Sequence, residues 1–465
     1  MNAIRKQHVF AAAVTTMMVA ACAAPTAPPA PTSAPAAAAP TKAPAPAAAA
    51  PVTIKYVMWD SNQQPAYEAC AAEFTKKNPN ITVKIEQLGW DDYWNGLNTG
   101  FASGTAPDVF TNHLAKYPEY ALKKVIYDIE PFVKRDNVDT KLYLGELANL
   151  WSRNGQRFGL PKDWDTISVV YNADLLKKAG VDPASVKNLD WNPADGGSFG
   201  KLITQLTIDK NGKNGADAAF DKKNVAQFGF TPPGSGGFAG QTEWSHFAAS
   251  NGFSLVDGVW GTKYHYDDPK LAESIQWLAD LNLVKGITPP LADIKSLGNT
   301  TLFKNGKVVA TTVGSWQIGD VTKDVKFPVI FGLLPKGPVG RKSMFNGLAD
   351  SIWIGTKNPE QSWAWVKYAA SNECEKIVGT KGVVFPATPD GVAEALKVYT
   401  GRGLDVTAFT DLATDPKATF LFPITDNGAE VQKIMDPVMD SIFLGKEKAA
   451  VALTAANTKV NALFK

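Results

Sequence analysis

Apolar positions along the chain follow two periods that take turns. Val52 to Met58 is an apolar, β-rich run, and after a loop the spacing predicts an amphipathic helix from about Pro65 to Lys77 that must stop at Asn78-Pro79. Ile81 to Leu88 reads as a second strand and about Asp91 to Ser103 as a second helix. The turn Gly104-Thr105-Ala106-Pro107-Asp108 then feeds a third short strand at Val109-Phe110. Strand and helix in alternation predict an α/β fold, with a mostly parallel sheet covered by helices on both faces.

The same alternation returns downstream. Ile167 to Tyr171 and Val308 to Val313 are predicted strands; Leu271 to Leu283, Pro359 to Ala370, Asp436 to Leu444 and Lys446 to Leu463 carry helical periodicity. Glycine and proline cluster between them at Gly196-Gly197, Pro232 to Gly240 and Pro335 to Gly340. No repeat of fixed period is visible.

The first residues address the chain to a compartment. Arg5 and Lys6 precede an apolar stretch from Val9 to Ala21, the length of a signal-peptide core and too short to span a bilayer. It ends Val19-Ala20-Ala21-Cys22, which resembles a bacterial lipobox, so residues 1–22 are read as a lipoprotein leader with lipid placed on Cys22. An ordinary cleaved signal peptide with an incidental cysteine is the alternative. Residues 23–51 are almost entirely Ala, Pro and Thr, a composition with nothing to bury, and are read as a tether. These two segments predict the localisation: exported, and held at the outer face of the cytoplasmic membrane by the lipid alone.

The remainder of the chain, from Val52 to Lys465, is long enough for two cores, since single cores stop growing at about 250 to 300 residues. Two lobes imply a cleft. A formal net charge of +2 with no dense basic run argues against nucleic acid or an anionic membrane face as partner. After Cys22 only Cys70 and Cys374 remain, and an even pair in an exported chain reads as a disulfide, with two inert buried thiols as the alternative.

Several patterns imitate chemistry. Gly196-Gly197-Ser198-Phe199-Gly200 fits a nucleophile elbow, but no buried strand precedes it, and Ser198 is read as a helix cap. Gly234 to Ala239 resembles a dinucleotide loop with Asp257 at a fitting distance, yet Pro232-Pro233 breaks the required strand-to-helix turn. Asp209 to Asn214 opens like a calcium loop, but Phe220 stands where a bidentate glutamate belongs. His8, His113, His246 and His265 show no paired spacing for zinc. No cofactor, metal or catalytic residue is expected.

The order of motifs resembles the family 1 extracellular solute-binding proteins of ABC importers, the group of maltose-binding-protein-like sugar-binding lipoproteins. The resemblance rests on Phe74 with Asn78-Pro79-Asn80-Ile81, Gly104 to Phe110, Gly159-Leu160-Pro161 leading to Tyr171-Asn172-Ala173-Asp174-Leu175-Leu176, and Phe303 to Lys307 followed by Gly314-Ser315-Trp316. Leu333-Leu334-Pro335 and Phe345-Asn346-Gly347 before Asn358-Pro359-Glu360 complete it. It implies a two-lobed periplasmic-binding-protein fold of type II, with the chain crossing between lobes near Lys162 to Val169, Asn346 to Ser351 and Phe385 to Pro389. One lobe would then comprise 52–163 plus 347–387, the other 167–345 plus 390–465. It further implies a monomer that captures a small molecule, a mono- or oligosaccharide, by hinge closure and delivers it to the transmembrane subunits and cytoplasmic ATPase of an importer. Rival readings are a secreted carbohydrate-active hydrolase using Asp60 and Asp163, or a binder of a polyol, a glycerol phosphate ester or a peptide.

A sugar needs flat aromatic plates and short polar groups, and ligands in open α/β sheets sit at the carboxyl ends of strands. Thirteen Trp residues supply plates. Trp59 and Asp60 follow the first strand; Trp90, Asp91 and Tyr93 follow the second. Trp316 follows Val308 to Val313 and aligns with a tryptophan that stacks on sugar in the family. Lys162, Asp163 and Trp164, in a run that ends at Asp165, stand at the expected first crossing; Asn346 and Gly347 stand at the second. Asn112 is placed ahead of Asp108 at the end of the third strand, Trp244 follows the glycine-rich connection, and Arg402, between Gly401 and Gly403, could reach the cleft, with a simply solvated arginine as the commoner reading.

Overall fold

The computed structural model describes residues 50–465. The leader, Cys22 and nearly all of the tether lie outside the described residues, as does His8. In chain order the strands are β1 (Val52–Met58), β2 (Ile81–Gln87), β3 (Val109–His113), a short hairpin of β4 (Ser152–Arg153) and β5 (Gln156–Arg157), β6 (Leu160–Asp165) and β7 (Ile167–Asn172). They continue with β8 (Ile208–Asp209), β9 (Val225–Thr231), β10 (Val308–Gly314), β11 (Val329–Gly332), β12 (Ser343–Ile352), β13 (Phe385–Pro386) and β14 (Thr419–Leu421).

Two sheets form two lobes. The first has the order β13-β6-β12-β3-β1-β2 with β14 added on β12; the second has the order β11-β7-β10-β9-β8. β1 lies parallel to β2 in the register Val52↔Ile81 through Met58↔Gln87, as a strand-helix-strand unit requires. The helix between them, Gln64–Lys77, opens with Pro65 in its first turn and buries Ala66, Tyr67, Cys70, Ala71 and Phe74 along one stripe. The next helix, Trp90–Ser103, ends at Gly104 in the left-handed region (φ 74°), a position where a side chain would be strained.

The sheets are more mixed than the alternation predicts. β12 runs antiparallel to both β3 and β6, and β7 runs antiparallel to both β10 and β11. The reason is the crossing itself. β6 and β7 are separated only by Thr166, so one nearly continuous extended segment serves both sheets and cannot also obey the direction of a helical crossover. Thr166 is buried and hydrogen-bonds Phe409 O through its hydroxyl, while its carbonyl accepts Ser315 N–H. Phe409 also packs on Phe331 and Phe385, so apolar contact is continuous across the crossing.

The last crossing lies later than the expected Phe385 to Pro389. Helix Pro389–Gly401 packs on helix Asn372–Lys381 beside the first sheet, and the chain joins the second sheet only with helix Thr407–Ala413, which packs on β7 and β11. Glycines permit the close approach: a Cβ on Gly379 would lie 2.3 Å from Gly391 O. The helix expected from Asp436 in fact begins at Gly428 and runs through Pro437. Its buried stripe, Val431, Met435 and Met439, outweighs the one lost backbone hydrogen bond.

Cys70 and Cys374 are joined in a disulfide between helices Gln64–Lys77 and Asn372–Lys381, both beside the first sheet. Ser198 lies in the first turn of helix Gly197–Leu206, and its N–H and hydroxyl both turn to Asp190. It therefore braces a loop and does not cap its own helix. The Asp209 carboxylate accepts backbone N–H groups of Asn211, Lys213 and Asp221, a role that needs no cation. No helix among the described residues is long and apolar enough to cross a membrane.

Candidate functional site

Between the lobes lies a cleft of about 420 Å³ whose walls come from strand ends. β1 ends at Trp59 and Asp60, and the following loop adds Ser61, Asn62 and Gln63. β3 ends at His113, and Trp90 opens the helix after β2. β6 contributes Asp163, Trp164 and Asp165, and β12 contributes Asn346 and Leu348. The second lobe contributes Gln241, Trp316 and Asp320.

Four indoles form plates held to different degrees. Trp59 packs edge-on against Trp90, with ring centres 5.2 Å apart, and also touches Tyr93 and Trp94. Trp164 is clamped between Phe345 and Phe385, nearly parallel to both, and is only 2% exposed. Trp316 stands alone on the opposite wall, half-buried, in the tight turn Ser315–Gln317 that follows β10. Its ring folds back over Gly314, where an added Cβ would fall 1.9 Å from the indole. Glycine at 314 is thus what lets the plate lie at the strand's end.

The polar groups are carboxyls and amides in fixed orientations. Asp60 accepts from Asn62 N–H (2.8 Å) and Gln63 Nε2 (3.0 Å). Asp165 accepts from Asn346 Nδ2 (3.1 Å) and, across the cleft, from Gln241 Nε2 (2.7 Å). A second bond across the cleft joins Asn62 Nδ2 to Asp320 Oδ1 (3.0 Å). Asp163 accepts Leu348 N–H through Oδ1, but its Oδ2 is buried without a partner, as is Asn346 Oδ1. Buried acceptors left open in a cleft wall are the groups that a ligand's hydroxyls would satisfy.

Burial sets the charge state. It pushes Asp163 up to about 7, opposed by the Lys162 ammonium and the Leu348 N–H, and it raises Asp165 well above the usual carboxylate range, aided by the Asp163 charge. Burial also holds His113 down to about 3, so the imidazole is neutral. The folded chain therefore keeps a proton on Asp163 that the unfolded chain releases near the ordinary 3.8. Between those two values the folded state binds more protons than the unfolded one, so stability falls as pH rises through that window. Urea unfolding from about pH 4 to about pH 8 is expected to show this loss in the wild type and a shallower slope in Asp163→Asn. Parallel slopes would remove Asp163 as its source.

The structure gathers Trp59, Asp60, Trp90, Asp163, Trp164, Trp316 and Asn346 at the cleft. Five expected site residues lie elsewhere. Tyr93 is wholly buried, its hydroxyl donating to Val57 O and Thr111 O. Asn112 faces the other side of β3, where it bonds Ser351 Oγ (3.0 Å), and the neighbouring His113 takes the cleft position. That is a one-residue register difference in a period-two strand. Lys162 turns into the core, onto Tyr56 OH (2.6 Å), Thr111 Oγ1 (3.1 Å) and Asp350 Oδ1 (3.3 Å), because the buried Asp350 requires a counter-charge. Trp244 is buried under its own glycine loop, where a Cβ on Gly240 would lie 2.2 Å from its Nε1. Gly347 is closed in by Asp163 O and Leu147, each 2.8 Å from an added Cβ, so it serves strand packing.

Asp91 is exposed at the start of its helix, and Asp108 supports a loop by accepting Lys55 N–H (2.8 Å) and the Thr356 hydroxyl. Arg402 borders an adjoining cavity. Sequence reasoning missed Ser61, Asn62, Gln63, His113, Gln241 and Asp320. Asp320 carried a usable signal, since it lies one helical turn beyond Trp316; Gln241 carried none, being placed by the fold of a distant glycine-rich loop.

The model of the family described as bacterial extracellular solute-binding protein matches residues 69–400. A binding protein of Brucella abortus is 26% identical over 419 residues, covering 86% of this chain and 90% of its own length. The crystal structure of UspC from M. tuberculosis is 27% identical with a TM-score of 0.68, covering 88% of this chain and 100% of its own. An ABC substrate-binding protein of Listeria monocytogenes, solved in complex with cycloalternan, has a TM-score of 0.76 at 20% identity and covers 88% of this chain and 98% of its own.

Proposed function

The chain belongs to the bacterial extracellular solute-binding proteins, and from that premise we propose that it captures a sugar or oligosaccharide between its lobes and hands it unaltered to the membrane subunits of an ABC importer. The observation that carries this reading is the cleft's composition. Indole plates stand on both walls, Trp59, Trp90 and Trp164 on one and Trp316 on the other, with carboxyl and amide groups between them. Apolar C–H faces of a sugar meet the plates, and its hydroxyls meet Asp163 Oδ2, Asn346 Oδ1 and their neighbours. The cycloalternan held by the Listeria protein of the same fold accords with this.

Among the described residues no Lys or Arg lines this cleft, so a glycerol phosphate confined to it would lack the cation its phosphate calls for. Hydrolysis would need two carboxyls free to act on opposite sides of a glycosidic bond. Of the rival pair, Asp60 has both oxygens engaged as acceptors in the wall, whereas Asp163 keeps Oδ2 open, so recovery of uncleaved sugar is the observation that separates binding from hydrolysis.

Capture proceeds by hinge closure, for which periplasmic binding proteins are a standing example. Solute settles on one lobe, the other swings over it, and the ligand shifts the equilibrium only by its preference for the closed form. The Asn62–Asp320 and Gln241–Asp165 bonds are contacts that closure makes and opening breaks. Export by the leader, a lipid on Cys22 and the 23–51 stalk would hold such a monomer beside its permease. For the lobes we keep 52–163 plus 347–387 and 167–345 plus 390–465 as the proposed division, but assign to the first lobe helix Pro389–Gly401, which packs on helix Asn372–Lys381, and β14, which pairs with β12.

A thermal-shift screen of the mature domain against mono- and oligosaccharides, polyols, glycerol phosphate and peptides tests the reading. A saccharide is expected to raise the melting temperature with concentration by mass action, and to be recovered unchanged. Response to a non-carbohydrate alone, or recovery of cleaved sugar, overturns it.

A further inference from the structure

We propose that the solute is an acidic oligosaccharide, long enough to pass Trp316 and carrying a uronate carboxylate at its far end; this rests on the sugar-binding reading above. A second cavity of about 470 Å³ adjoins the cleft and shares Asn62, Trp316 and Asp320 with it as a common wall. Trp316 therefore stands at the junction of two compartments, where a plate would stack one sugar ring and leave the next ring beyond it.

The two compartments differ in charge. Every ionisable side chain of the main cleft other than the neutral His113 is an acid. The annex instead gathers Lys323, Lys381 and Arg402, three cations beside the one shared acid, Asp320. Among the described residues none of the three pairs with a carboxylate. Arg402 is nonetheless held in place, since its Nη1 donates to Gly382 O (3.3 Å) and its Nη2 to Lys381 O (3.2 Å). A guanidinium offers five N–H donors, so a positioned cation with donors to spare faces the annex. A neutral hydroxyl there gains little over water, whereas a carboxylate gains charge-assisted hydrogen bonds from up to three cations.

Geometry sets the length as well. The wall between the main cleft and the cations is closed by the Asn62–Asp320 bond (3.0 Å), so a ligand that spans both spaces displaces it. The ligand must bridge both spaces to use them.

Isothermal titration of the mature protein with matched trisaccharides, each neutral form against its terminally oxidised uronate, tests this directly. The uronate form is expected to bind about tenfold tighter. That preference should shrink toward unity between about 50 mM and about 500 mM salt, because the cations are exposed. In the double variant Lys381→Gln/Arg402→Gln the ratio of the two affinities should fall to about one, and circular dichroism on the same sample checks its folding. Equal affinities within the pairs overturn the proposal while leaving the sugar-binding reading standing. A preference that survives both salt and the double variant also overturns it, because the charge would then be sensed elsewhere. If no saccharide of either kind binds, the parent reading fails and takes this one with it.

Discussion

Truncation of Trp316 to alanine is expected to weaken saccharide binding by about 30- to 100-fold, or about 2–3 kcal/mol. The ring is the plate that the second lobe brings to the cleft, so its loss removes apolar contact and lets water onto one face of the sugar. It also stands where the cleft meets the annex, and among the described residues no other aromatic side chain lines both spaces. Because the indole is half-buried and leans on Gly314, the change costs stability as well, but modestly. Titration calorimetry with the saccharide that gives the largest thermal shift measures the first effect and urea unfolding the second. A variant that binds as well as the wild type and is merely less stable would reduce Trp316 to a packing residue. Trp316→Phe, which keeps a smaller plate, should fall between the two.

Replacement of Lys162 by alanine is expected to destabilise the fold by about 3–5 kcal/mol, the larger of the two effects. Its ammonium is buried with the Asp350 carboxylate 3.3 Å away, hydrogen-bonds Tyr56 OH and Thr111 Oγ1, and lies 3.7 Å from the centre of the Tyr67 ring. Removing it leaves the Asp350 carboxylate with no cation in a buried network. A charge left alone costs more than a pair removed together. The double variant Lys162→Met/Asp350→Leu should therefore recover most of the loss, and a double-mutant cycle in urea measures the difference. If the single and double variants lost equal stability, the pair would not be coupled as the geometry implies.

Trp316 and Lys162 differ in how openly the sequence states their roles. The place of Trp316 at the cleft was legible: a strand of β-branched residues, a glycine, then an aromatic at the strand's carboxyl end is a local arrangement, and local arrangements are what a sequence states openly. Trp59 and Asp60 were legible for the same reason. Lys162 looked equally exposed to ligand because it opens a charged and aromatic run at a lobe crossing. Its true partner, Asp350, is remote in sequence, and nothing near Lys162 announces it. Asn112 failed by one position, since the end of a strand whose two faces are both buried cannot be assigned to a face by alternation. Trp244 failed because whether an indole stands open or is roofed over depends on the loop laid upon it.

The sequence by itself determined the class of fold, most of the strands and helices, the pairing of Cys70 with Cys374 as the favoured alternative, and the aromatic character of the site. Each of these rests on periodicity, composition or a short motif, which are properties of neighbouring residues. Tertiary structure alone decided which face of each strand looks into the cleft, where helix Pro389–Gly401 packs, and that Gln241 and Asp320 reach across from the second lobe. It alone set four acids along the cleft and, in the next compartment, three cations that pair with no carboxylate among the described residues. The physical reason is that burial, counter-charge and close approach are properties of surroundings, and those are assembled from segments that meet only once the chain has folded.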